Sequence, residues 1–176
     1  MSAWRHVRAV VLLPGNVTVV VPALIVMVSD GPSIGWGLNG ILAALAVLVG
    51  LTLIAAGLAL WVWTLRLFVR IGQGTLAQWD PTRRLVTQGP YSRVRNPMIT
   101  AVLAILVGEA ALLGSPGVLI WCSAFFAIYW IYCVFYEEPG LERRFGEEYR
   151  AYRRSVPRWI PRRTPSTPPG QLPRHP

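Results

Sequence analysis

The chain has no lysine: its basic residues are seventeen arginines, opposed by only eight acids, for a net charge of +9. Histidine is nearly absent too, with His6 and His175 close to opposite ends. The two cysteines, Cys122 and Cys133, stand eleven residues apart in one apolar run. On a helix that spacing is ~16 Å, too far for a disulfide. With no Cys-x-x-Cys and no histidine cluster, the usual nitrogen and sulfur ligand sets for a metal are excluded, and no metal is expected. Few groups that titrate near neutrality remain for acid-base work.

What is present is apolar. Hydrophobic residues make up 53% of the 176, and the mean hydropathy is +0.45. Such a chain is one domain long and too apolar for an ordinary soluble domain, so a lipid bilayer is its expected environment. The pI near 10.8 would suit nucleic acid, but the arginines flank apolar spans, which fits anionic headgroups and excludes a nucleic-acid partner.

Four apolar runs follow one another. Residues 7–28 are interrupted by Pro14, Gly15, Asn16 and Pro22 and read as a retained, kinked membrane helix rather than a cleaved leader. Residues 38–65 would measure ~42 Å as a helix against a hydrocarbon core of ~30 Å, so this helix should tilt or protrude, ending in Trp61, Trp63, Arg66 and Arg70 as an interface belt. The glycines of Gly72-Gln73-Gly74-Thr75 should break it. Residues 98–113 and 118–136, joined by Gly114-Ser115-Pro116-Gly117, read as a helical hairpin. Glu109, in the third run, is either a functional intramembrane acid or a residue that reaches water at the nearby turn. Arginines precede the first span, lie between the second and third, and follow the fourth, while the loops at 29–37 and 114–117 have none. Four spans with both termini cytoplasmic place every arginine on one side. The expected fold is therefore all-α: a polytopic membrane bundle of about four helices, one domain over residues 1–163.

After the fourth span, Leu141, Phe145, Tyr149, Tyr152 and Val156 recur at helical spacing with arginines around them. This predicts an amphipathic interfacial helix, lying on the membrane surface or capping a pocket. The repeated prolines of residues 164–176 predict a disordered tail.

Between the second and third spans lies LVTQGPYSRVRNP, residues 85–97. It combines a turn at Gly89-Pro90, the hydroxyl of Tyr91, two arginines and a helix boundary at Asn96-Pro97. At a membrane boundary such a segment is either a plain basic loop or a pocket whose N–H groups and guanidinium forks hold an anionic polar ligand. On the four-span topology it shares the cytosolic face with Glu137 and Glu138.

This segment resembles the G-P-Y-x-x-x-R-[HN]-P-x-Y signature of the isoprenylcysteine carboxyl methyltransferase and phospholipid methyltransferase group of integral membrane enzymes. A second block is similar to that group's ending: Glu137-Glu138, Leu141, Phe145-Gly146, Tyr149, Tyr152 and Val156-Pro157-Arg158-Trp159-Ile160-Pro161. The resemblance implies S-adenosylmethionine as cofactor. It implies a pocket formed by Val86, Gly89, Tyr91, Arg95, Asn96, Pro97, Glu137 and Glu138, with Arg95, Glu137 and Glu138 as the catalytic set. Two positions depart from the pattern: Asn96 stands where histidine is usual, which removes a titratable ring, and Ile99 where tyrosine is usual, which removes a hydroxyl.

Methyl transfer from a sulfonium is an in-line displacement that depends on alignment and desolvation more than on acid-base groups. With no lysine and no central histidine, an acceptor already anionic at neutral pH is the easiest, which favours O-methylation of a lipid-like or isoprenoid carboxylate. A phospholipid amine or small thiol is the alternative acceptor, and a reductase-like or assembly role on the same scaffold is the reading from a different class.

Overall fold

A computed structural model describes residues 11–29, 31–72 and 84–165. Among these residues all regular structure is helical. The chain enters through a π-helical segment, Val11–Val20, continuing as α1, Val21–Val28. A 3-10 turn, Ile34–Gly37, leads to α2, Ile41–Leu67, which runs on in π geometry over Phe68–Gly72. The loop carrying residues 85–96 follows, then α3, Pro97–Leu113, and α4, Pro116–Tyr132, the latter extended by a π turn, Cys133–Glu137. Two short helices finish the fold: α5, Glu138–Phe145, and α6, Glu147–Ser155.

Among the described residues, two continuous helices are long and apolar enough to cross a bilayer: Ile41–Ile71, 31 residues, and Pro116–Phe145, 30 residues. Gly15–Val28 and Pro97–Leu113 are apolar but shorter. Outward faces are aliphatic, with Val28 88%, Ile41 76% and Ile120 70% exposed. In water so much apolar surface would drive association; against lipid it is the natural contact. The second helix is described as far as Gly72, while Gln73, Gly74 and Thr75 of the expected break lie outside the described residues, as do residues 7–10 of the first run and residues 166–176 of the proline-rich tail.

The first run passes from π to α geometry just before Pro22. Pro22 has no N–H to offer the carbonyl five residues back in a π turn, that of Val17. The indole Nε1 of Trp121 on α4 donates to that carbonyl at 3.0 Å, tying the two elements together. Val17, Trp121 and Phe125 then surround a small core of Val102, Leu106 and Cys122.

Helices α2 and α3 lie closer than side chains would allow. Gly50, Gly57 and Thr64, seven residues apart, are the buried residues of α2. A Cβ at Gly50 would sit 2.8 Å from the carbonyl oxygen of Gly108, and one at Gly57 2.8 Å from that of Ala101. This is backbone-to-backbone packing along a seam of small residues, the way apolar helices associate where no water drives them together. The far end of α3 closes with Gly114 in the left-handed conformation, φ 57, and its last carbonyls accept from the 3-10 turn: Ser33 N to Leu113 O at 2.8 Å and Trp36 Nε1 to Ala111 O at 3.1 Å. Ser115 caps α4 by accepting from Val118 N, with Pro116 in the first turn. Glu109 lies one turn before this end, half-buried, with its Oε2 buried and lacking a hydrogen-bond partner.

The expected single amphipathic helix is two helices. Gly146, at φ 54 and ψ −127, breaks it in a backbone region that side chains resist. Its apolar stripe does not face outward: Tyr149, Tyr152 and Val156 form a buried cluster with Leu85, Leu141 and Phe145. Because that stripe packs on the loop, it is not free to lie in a lipid surface, and the pair α5 and α6 caps the loop instead.

Candidate functional site

The loop 85–96 is held from both sides. Toward α2, Gly89 turns at φ 60 with a virtual Cβ 3.0 Å from Leu67 Cδ1 and 3.5 Å from the Trp63 ring, so this approach and this conformation both favour glycine. Tyr91 is 7% exposed and meets Phe68 edge-on at 5.7 Å. Toward α6, Tyr152 Oη donates to the Tyr91 carbonyl at 2.8 Å. The strand-like segment after α6 completes the clamp, with Arg95 N donating to Pro157 O at 2.9 Å and Arg162 N to Arg93 O at 3.0 Å.

This clamp points Arg95 at the start of α5, where Glu138 is buried. Arg95 Nη1 lies 2.7 Å from Glu138 Oε1. Arg158 grips the same carboxylate as a fork, Nε to Oε1 at 2.7 Å and Nη2 to Oε2 at 2.9 Å. Tyr149 Oη accepts from Arg95 Nη1 at 3.4 Å. An open cleft of about 560 Å³ adjoins the triad, lined by Arg95, Glu138, Arg158, Val134, Pro139, Glu142 and Arg153. Arg153 and Glu142 pair at 3.2 Å on its rim. The side chain of Arg95 is only 10% exposed, yet its Nε has no acceptor among the described residues. A buried guanidinium N–H without a partner is costly and marks a position where an acceptor is missing.

The two glutamates part company. Glu137 turns to α4, where Tyr129 Oη donates to its Oε2 at 2.5 Å. Asn96 does not face the cleft lining either: its Nδ2 donates to Cys133 Sγ at 3.5 Å, and that thiol lies 3.9 Å from Glu138 Oε1. Val86, Gly89, Tyr91 and Pro97 are absent from the cleft wall and pack behind it, Val86 at 6% exposure. Of the expected set, then, Arg95 and Glu138 meet in the cleft, while the others support it.

Arg158, Arg153 and Glu142 were not anticipated as site residues. The only sign of Arg158 in the sequence is its place in the Val156–Pro161 block.

Electrostatics keeps the site's charges fixed. Burial pushes the Tyr149 phenol up to about 12, with the Glu138 carboxylate adding to the effect and Arg95 opposing it. Burial likewise raises Tyr91 and Tyr152. The hydrogen bonds that Arg158 donates to Glu138 hold its proton more firmly than usual. The cleft wall presents three arginines and two glutamates, an environment suited to a ligand bearing both a carboxylate and hydroxyl or ammonium groups.

No curated protein and no solved structure matches the chain significantly. The family model described as phospholipid methyltransferase matches residues 45–148, from within α2 to the start of α6, and so spans the small-residue seam, the loop and the Glu137–Glu138 pair. More than half of the chain is covered by that match, and the protein belongs to the phospholipid methyltransferase family of integral membrane methyltransferases.

Proposed function

We propose that the protein is a multi-pass membrane enzyme that binds S-adenosylmethionine in the cleft beside Arg95 and methylates a lipid-like acceptor at the cytosolic boundary. The observation that carries this reading is Arg95 on the wall of a cleft with net positive charge, its buried Nε without an acceptor among the described residues, which suits the carboxylate of an amino-acid-bearing cofactor. The cleft volume falls in the range of small-molecule sites. Bound there, S-adenosylmethionine would supply an electrophilic methyl group on a sulfonium. Arg95 would hold its carboxylate, and Glu142, whose oxygens pair with the exposed side chains of Arg150 and Arg153, would exchange those solvent-screened pairs for its ammonium or ribose hydroxyls.

The chain's own residues contribute orientation rather than proton transfer. Glu138 is engaged by two guanidinium groups and is a poor base; Glu137 is held by Tyr129. An acceptor already charged at neutral pH, such as a lipid carboxylate, needs no base and fits this arrangement best. A phospholipid amine is the second reading. The family's description favours it. Four spans with both termini in the cytoplasm complete the proposal: the two long helices, the shorter α3, and the kinked first run.

Membranes containing the protein, supplied with methyl-labelled S-adenosylmethionine, should transfer label to a lipid-extractable product. Mild base distinguishes the acceptors, because a methyl ester releases labelled methanol and an N-methyl amine does not. No labelled lipid above that in membranes lacking the protein would contradict a lipid methyltransferase.

A further inference from the structure

Glu138 is 6% exposed and both of its oxygens are occupied by guanidinium nitrogens. A carboxylate so engaged is not free to bind a ribose diol or an ammonium. Its effect falls on the arginines. Two of the three arginines on the cleft touch it, and against Glu138 and Glu142 the three leave one positive charge in the lining. If Arg158 were absent, the lining would be neutral, and Glu138 would have Arg95 as its only guanidinium partner.

Arg158 is not a loose surface residue. Pro157 O accepts from Arg95 N next to it, and Trp159 packs against Phe126 at 5.1 Å, Tyr129 at 6.1 Å and Trp130 at 6.0 Å. The Arg158 guanidinium also lies 5.6 Å over the Trp130 ring. The segment after α6 is thus anchored on both sides of Arg158, which fixes the fork in place.

We infer that Arg158 is a positioning residue that neutralises Glu138, and so leaves Arg95 available to bind the carboxylate of the ligand in the cleft. This rests on the reading of the cleft as a cofactor site. It makes the C-terminal segment, lying beyond the residues that carry the family match, a determinant of affinity for the amino-acid end of that ligand.

The test compares two probes by calorimetry in detergent: S-adenosylhomocysteine and its decarboxylated analogue, which keeps the ammonium and the nucleoside. The parent protein should prefer the carboxylate-bearing probe by about tenfold or more, the scale of one charge-assisted contact. Arg158→Ala should lose that preference while still binding the analogue. Adding Glu138→Gln to Arg158→Ala removes the unneutralised carboxylate, returns one positive charge to the lining, and should restore the preference. A purely structural role for Arg158 predicts equal losses for both probes and no rescue. Should Arg158→Ala fail to fold, Arg158→Gln keeps much of the stem and carries the same expectation. A parent that binds neither probe overturns both the function and this inference. A parent that shows the preference, with a variant that retains it or a double variant that does not regain it, overturns this inference alone.

Discussion

At the scale of single residues, the site depends on which polar groups face one another, and that was only partly legible in the sequence. Arg95 and Glu138 could be anticipated because motif blocks flank them. The partner that grips Glu138 with both nitrogens could not. Arg158 lies twenty residues on and reaches Glu138 only because the intervening helices double back at Gly146. Asn96 shows the opposite case. Its position in the motif implied a ligand contact, but its amide reaches the Cys133 thiol and ties the start of α3 to the end of α4. The buried phenols make a prediction at this scale. Tyr91, Tyr149 and Tyr152 hold their protons more tightly folded than unfolded. The stability they contribute is fully present below the unfolded tyrosine value of ~10 and is lost as pH rises through the folded values. For Tyr149 that window closes at about 12. Circular dichroism in detergent should show a steady fold up to pH ~10 and progressive loss above it, with Tyr149→Phe holding out to higher pH than the parent. An unchanged alkaline transition in Tyr149→Phe would show that this phenol is not stabilised in its neutral form.

Among the elements, the apolar runs were readable because composition and length suffice to mark a membrane helix. The hairpin of α3 and α4 was readable too, from the short turn between them, but the close pairing of α2 with α3 was not. Nothing in a run of leucine, alanine and valine announces that Gly50, Gly57 and Gly108 form the contact, because spacing alone does not name the facing helix. The amphipathic stripe was read correctly as a pattern, but its destination is tertiary: Leu85, from the loop, supplies the partner surface. The seam predicts its own sensitivity. Gly57→Leu would drive a side chain into the Ala101 carbonyl and the Ile105 side chain. A loss of about 1–3 kcal/mol is expected, read as a lower midpoint for thermal unfolding in detergent. The same change at Gly140, where a Cβ meets nothing within 4 Å, should be tolerated. Equal midpoints for the two variants would mean that α2 and α3 do not pack as closely as described.

For the whole molecule, the arginine distribution and the clamp around loop 85–96 make one statement: the site lies on the arginine-rich face. On the proposed four-span topology Asn39, before α2, and Thr164, after α6, lie on opposite sides of the membrane; both are exposed. With Cys122 and Cys133 replaced, an impermeant thiol reagent applied to intact cells should label Asn39→Cys and leave Thr164→Cys unlabelled until the membrane is opened. Labelling of Thr164→Cys in intact cells would invert or break the proposed topology.

The central claim is that the cleft beside Arg95 binds S-adenosylmethionine through its carboxylate. Calorimetric titration of S-adenosylhomocysteine into the detergent-solubilised protein tests it most directly. The account predicts saturable binding that Arg95→Gln weakens by about tenfold or more, because the guanidinium would no longer be present to donate to the carboxylate. Absence of binding by the parent, or equal affinity in Arg95→Gln, would contradict it.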